Sequence, residues 1–142
     1  MNKRVAFVAC SKKKKAYSCE AESLYGDSQL FKFASFYCKT HYDAWFILSA
    51  KHGLVTPSDI IEPYDQTLKS ASAAVKKQWT KEVFRQIQDL FGPQKPVIYL
   101  HAGKDYVEYL IPLLENAGFQ CERPLKGLGV GQQQRWYKES LA

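Results

Sequence analysis

Three short apolar runs, separated by stretches of helical period, limit what this chain can fold into. The runs are Val5-Ala6-Phe7-Val8-Ala9, Ala44-Trp45-Phe46-Ile47-Leu48 and Pro96-Val97-Ile98-Tyr99-Leu100. Each is apolar on both faces, the pattern of a strand buried inside a sheet. Residues 24–39 carry Leu30, Phe31, Phe33, Ala34, Phe36 and Tyr37 at helical spacing. Residues 69–91 place Val75, Trp79, Val83, Phe84, Ile87 and Leu90 on one stripe, closed by Gly92-Pro93. Residues 104–116 read as a third helix stopped by Gly118, and Pro112 inside it should bend it or shift its start. A short strand over 119–122 and a last helix over 131–140 complete the pattern. Strand and helix in alternation predict an α/β fold: a single-domain three-layer sandwich with a mostly parallel sheet. Right-handed crossovers then fix much of its topology.

The length of 142 residues is that of one domain, 1–142, with no repeat or linker dividing it. With 46% hydrophobic and 24% charged residues, the composition is that of a globular chain and excludes a disordered one. No apolar run approaches the roughly 20 residues that span a bilayer. The apolar stretch after Lys3-Arg4 is too short for a signal peptide, so a cytoplasmic location without a membrane partner is expected. Four cysteines (Cys10, Cys19, Cys38, Cys121) without CxxC spacing, and only three histidines, give no zinc signature. Reduced thiols and no metal are expected.

The net charge is +6, and each half of the chain carries ten basic and seven acidic residues. The excess therefore belongs to the folded body rather than to a tail. It points to an anionic partner, nucleic acid being the commonest, with plain solubility as the alternative.

Ligands of open parallel sheets bind at the carboxyl ends of the strands. The first strand is followed there by Cys10-Ser11-Lys12-Lys13-Lys14-Lys15, the second by Ser49-Ala50-Lys51-His52-Gly53, and the third by His101-Ala102-Gly103-Lys104-Asp105. Each loop joins small residues, which let an anion approach backbone amides, to a lysine that supplies charge. Cys10, Ser11, Lys12, Ser49, Lys51, Gly103 and Lys104 are therefore candidate phosphate-binding residues. The bland readings stand beside these: a solvated lysine run, an ordinary helix start at Lys104-Asp105, and a satisfied core histidine at His101. No GxGxxG or GxxxxGK[ST] is present, so no nucleotide cofactor is expected.

Residues 53–65 read as a long irregular loop with two prolines, and such loops are usually functional. The loop ends in Tyr64-Asp65. Tyr64 could stack on a base, and Asp65 could orient water or face a developing cation. The alternative for Asp65 is the cap of the following helix. Gly127-Leu128-Gly129-Val130-Gly131 reads as a tight loop that delivers Gln132, Gln134 and Arg135.

The stretch Ile47-Leu48-Ser49-Ala50-Lys51-His52-Gly53-Leu54, with Pro57, Asp59-Ile60-Ile61, Pro63-Tyr64 and Asp65, resembles the central motif of the YaaA-type peroxide-stress proteins. It is still more similar to their small bacterial and phage relatives of unknown function. Leu24, Tyr25, Ser28, Leu30 and Phe31 add to the resemblance, as do Gly103, Lys104 and Tyr106. Pro124, Leu125, Gly127, Leu128, Gly129, Gly131 and Trp136 extend it to the C-terminal region, so that it covers nearly the whole chain. The resemblance implies DNA binding and, from some small relatives, removal of modified bases by glycosylases acting in phage defence. The helix-hairpin-helix insertion of the longer YaaA proteins has no counterpart here.

The leading expectation is a DNA glycosylase that hydrolyses the N-glycosidic bond of a modified base. Such a site needs a carboxylate or polarised water near the sugar and donors near the departing base. Asp65 and His52 are the candidate catalytic residues. Tyr25, Tyr64 and Trp136 are candidates for stacking, and Gln132 and Arg135 for reading the base edge. DNA is the expected partner, with no cofactor, metal or obligate protein partner. Two alternatives remain open: a non-catalytic DNA-binding stress protein, and a nucleoside or nucleotide N-glycosidase or transglycosylase.

Overall fold

The computed structural model describes residues 3–141. In chain order the elements are β1 (Arg4–Ala9), β2 (Cys19–Glu20), α1 (Ala21–Leu24), α2 (Gln29–His41), β3 (Ala44–Ser49), β4 (Gly53–Val55) and β5 (Ile60–Ile61), followed by α3 (Ala73–Phe91), β6 (Val97–His101), α4 (Lys104–Val107), α5 (Leu110–Asn116), β7 (Cys121–Glu122) and α6 (Val130–Leu141). Five strands form one sheet in the order β4-β3-β1-β6-β7. β1 pairs in parallel with both β3 and β6, and β6 with β7; β4 alone runs antiparallel. The expected α/β fold with a mostly parallel sheet flanked by helices is therefore the one observed.

Burial explains the centre of the sheet. Val5, Ala6, Phe7 and Val8 are all buried, as are Ile47, Leu48, Ile98 and Leu100. A strand covered on both faces needs helices on both faces, and the crossovers supply them. The connection from β1 leads to one side, to β3, while the connection from β6 leads to the other, to β7. Right-handedness sends the intervening helices to opposite faces. α2 packs with α6 on one face, and α3 with α4 and α5 on the other. Phe46 meets Phe91 of α3 edge to face, while His101 stacks on Tyr137 of α6.

Two departures from the sequence reading concern short elements, and the expectation for Pro112 holds. Residues 53–65 are not one irregular loop, since β4 returns along β3 and β5 pairs with β2 in a separate two-stranded ribbon. Only Ala50, Lys51 and His52 separate β3 from β4, too few for a crossover, so the return must be antiparallel. Gly53 takes φ 73° there, and a Cβ on it would run into the Gln86 side chain. Gln86 in turn accepts from Leu54 N at 2.8 Å and donates to Leu54 O at 3.3 Å, which satisfies the outer edge of β4. The stretch 24–39 is not one helix: a turn of helix ends at Leu24, and α2 starts after Ser28, whose hydroxyl accepts from Phe31 N at 3.2 Å. Finally, Pro112 shifts the start of its helix. It sits in the first turn of α5, where no intrahelical N–H is required of it.

Candidate active site

The carboxyl ends of β1, β3 and β6 lie along one edge of the sheet because the three strands are parallel. The loops carrying Ser11, Lys51 and Lys104 therefore leave from the same edge. β1 and β6 are neighbours whose onward connections diverge, which makes the gap beyond them the switch point of the fold. The loop after β1 is held at its root, where Cys10 N donates to Leu48 O at 2.9 Å.

A cavity of about 720 Å³ opens on one side of that loop. Cys10, Ser11, Lys12 and Lys14 border it from the loop after β1, and Tyr64, Asp65 and Lys69 border it from the segment before α3. An adjoining groove of about 370 Å³ adds Lys15 and Pro63 to this wall. Its volume lies within the roughly 300–1,000 Å³ of small-molecule sites. Asp65 is exposed and makes no hydrogen bond or ion pair among the described residues. It does not cap the following helix, because Ser72 fills that role by accepting from Val75 N at 3.2 Å. Its carboxylate is thus left unpaired among the described residues at a cavity that Lys12, Lys14 and Lys69 also line.

Tyr64 anchors the residue before it. Its hydroxyl bonds that of Tyr25 at 2.7 Å and Ser49 Oγ at 2.8 Å, and Lys14 Nζ sits 4.4 Å from its ring centroid. Ser49 Oγ also accepts from His52 N at 3.0 Å, and Ser49 O accepts from Trp79 Nε1 at 2.8 Å. Burial pushes the Tyr25 phenol up to about 12 and raises that of Tyr64, so both stay neutral at ordinary pH. This chain of hydroxyls is a brace behind the cavity wall. Tyr25 is 0% exposed and Ser49 is 0% exposed, so neither stacks on a base nor holds a phosphate. Both sequence assignments are corrected on that ground: a hydroxyl can be the reason for a position without ever meeting a ligand. Tyr64 is also buried, and Lys14 Nζ already lies over its ring.

The remaining candidates divide. Cys10 lines the cavity, with its thiol 3.2 Å from the Tyr106 hydroxyl. His52 stands edge-on to Tyr64, with ring centroids 5.6 Å apart, but it does not line the cavity. Its Nε2 is buried without a partner, and burial, helped by Lys51, lowers its pKa against the opposing pull of Glu62. Lys51 is exposed in the turn between β3 and β4. Lys104 is the exposed first residue of α4. The neighbouring Asp105 is engaged by Lys76 at 2.7 Å, a pair that ties α4 to α3.

On the other side of the Cys10–Ser11 loop, at the switch point, lies a second cavity of about 170 Å³. Gly103 borders it from the loop after β6 and does not line the lysine-bearing cavity, so the structure places it away from the phosphate role expected of it; Gln133 borders it from α6. The sequence reading named the neighbours of Gln133 instead. Gln132 folds back on its own helix start, accepting from Gly129 N at 2.9 Å. Arg135 is exposed on α6, and Trp136 packs against Tyr37 with ring centroids 4.9 Å apart. None of these three faces either cavity. The helical phase could have singled out Gln133, which lies four residues before the buried Tyr137.

His101 is the satisfied core histidine. Its Nε2 bonds the Tyr42 hydroxyl at 2.8 Å and its Nδ1 that of Tyr137 at 2.7 Å. Burial lowers it to about 4. Sequence reasoning also passed over Tyr17, which is 62% exposed and follows Lys15 by two residues. It is an exposed aromatic beside the lysine run, where Tyr25 and Tyr64 are not.

Among the described residues no helix is long and apolar enough to cross a membrane. No solved structure matches the chain significantly. The uncharacterized protein YfjM of Bacillus subtilis (strain 168) is 32% identical over 101 residues, covering 62% of this chain and 67% of that protein. A family model spans residues 5–139, from β1 through most of α6, and the chain belongs to that family, the family of unknown function DUF6884.

Proposed function

We propose that this protein is a DNA glycosylase that hydrolyses the N-glycosidic bond of a modified base. The observation that carries the reading is Asp65: an unpaired carboxylate at a cavity of about 720 Å³ whose other charged lining groups are Lys12, Lys14 and Lys69. Breaking the glycosidic bond develops positive charge on the sugar. A nearby carboxylate opposes that charge, or takes a proton from the attacking water. The lysines hold flanking phosphates. The neutral hydroxyl brace of Tyr25, Tyr64 and Ser49 holds the residue before Asp65, which keeps the chain carrying the carboxylate at the edge of the cavity. The resemblance of the 47–65 motif to YaaA-type proteins and their small relatives supports a DNA substrate, and a role against phages whose DNA carries modified bases follows from it.

The test is to incubate the pure protein with DNAs carrying different modified cytosines and to read released base by mass. Base release with matching abasic sites is the expected result. Salt-sensitive binding without release would leave a DNA-binding protein only. Release from free nucleotides but not from polymer would make it a nucleotide N-glycosidase.

A further inference from the structure

Cys10 and Ser11 form a wall shared by two cavities of unlike chemistry. The larger one carries lysines. The smaller one, at the switch point, has no lysine, arginine, aspartate or glutamate in its lining. Its floor is Val8, Phe31 and Ala34, and its polar groups are Ser11, Ser28 and Gln133. Gln133 Nε2 donates to Leu128 O at 2.8 Å, which fixes the amide, while its Oε1 takes no hydrogen bond among the described residues. His101 beneath is committed through both ring nitrogens and adds no charge. An apolar floor with a few convergent neutral polar groups suits an uncharged, flat, hydrogen-bonding ring.

We propose that a nucleotide straddles the Cys10–Ser11 wall, with its phosphate in the lysine-lined cavity and its base in the switch-point cavity, which admits a pyrimidine in preference to a purine. The proposal rests on reading the larger cavity as a nucleotide site. The selectivity comes from size. An apolar cavity of about 150 Å³ holds one benzene ring. At about 170 Å³, the switch-point cavity matches a six-membered ring with small substituents more closely than two fused rings. Gln133 Oε1 is placed to accept from an exocyclic amino group.

Calorimetric binding of deoxycytidine monophosphate, deoxyadenosine monophosphate and deoxyribose 5-phosphate to the full chain tests this. The cytidine nucleotide should bind at least about tenfold more tightly than the adenosine nucleotide. The adenosine nucleotide should bind no better than the sugar phosphate. Gly103→Phe is the discriminating variant: Gly103 has φ −77°, open to any residue, and a Cβ there meets nothing within 4 Å. It should reduce the cytidine nucleotide to the affinity of the sugar phosphate and leave the sugar phosphate unchanged. Ala34→Leu, narrowing the cavity from α2, should do the same, with thermal unfolding checking that each variant folds. Equal binding of the two nucleotides, no binding of the cytidine nucleotide, or equal loss of nucleotide and sugar phosphate in Gly103→Phe would overturn the proposal. Pyrimidine selectivity without base release from any DNA would sink the glycosylase reading and leave this pocket standing. Release of purines alone would do the reverse.

Discussion

The hydroxyls of Tyr25 and Tyr64 meet at 2.7 Å across 39 residues of chain. They join the segment after α1 to the segment that presents Asp65. The two ends of this contact are unequal. Tyr64 has a second partner in Ser49 Oγ at 2.8 Å, while among the described residues the Tyr25 hydroxyl makes no second hydrogen bond, although Ser49 lies near enough to act on it. Tyr64→Phe therefore strands a fully buried hydroxyl and should cost about 1–3 kcal/mol, whereas Tyr25→Phe leaves Tyr64 still bonded and should cost about 1 kcal/mol. In urea unfolding the double variant should cost less than the sum of the two. Strict additivity would mean that the hydroxyls act independently.

Asp65→Asn should lower base release by about 10²–10⁴-fold while DNA binding stays within a few-fold. Its thermal midpoint should equal that of the parent protein, because the Asp65 side chain holds nothing in the fold and Ser72 caps α3. Full turnover in the folded variant would move the chemistry away from this carboxylate. Asp105 is the next to test, although Lys76 engages it.

Binding to DNA should weaken with salt at a log–log slope of about −0.9 per phosphate neutralised. Lys12→Ala, Lys14→Ala and Lys69→Ala should each flatten that slope. Lys51→Ala should leave it nearly unchanged, since Lys51 lines neither cavity. A slope that responds to Lys51 and not to Lys12 would place the phosphates across the β3–β4 turn instead.

His101 makes stability depend on pH. Burial lowers it from 6.5 to about 4 in the folded protein. Between those values the unfolded chain binds a proton that the folded chain refuses, so stability rises with pH across this window. The contribution is complete above about pH 6.5 and falls away towards pH 4, by about 3 kcal/mol at most. Urea midpoints measured from pH 4 to pH 7 should show this slope. His101→Gln, which carries no proton to exchange, should have a smaller one.

Tyr17→Ala should weaken binding to single-stranded DNA by about 1–3 kcal/mol, the worth of one stacked base. Tyr17→Phe keeps the ring and should bind as the parent does. The residue is 62% exposed, so neither change should move the unfolding midpoint. Equal losses in both variants would assign the effect to the hydroxyl rather than to stacking.

The central strands and the long helices were readable from the chain alone because their signal is local. Val5 to Val8 form an unbroken apolar run that asks for cover on both faces, and the stripe through Trp79, Val83 and Ile87 needs only the helical period. The expectation that the loops after β1, β3 and β6 share one edge followed from parallel pairing without any side-chain detail. What periodicity missed was β4 and the β2–β5 ribbon, whose two or three residues are too short to show a period.

Side-chain roles were decided by contacts between segments far apart in the chain. Nothing near Tyr25 announces that Tyr64 will bond its hydroxyl and bury its ring. Nothing near Asp65 announces that Ser72 will cap α3 and leave the carboxylate open. Gln132 and Gln133 are neighbours of one residue type, yet one caps its own helix and the other faces the switch point. A helix turns about 100° per residue, so which of two adjacent side chains faces a cavity depends on how α6 is docked against α2. That docking is a property of the packed core.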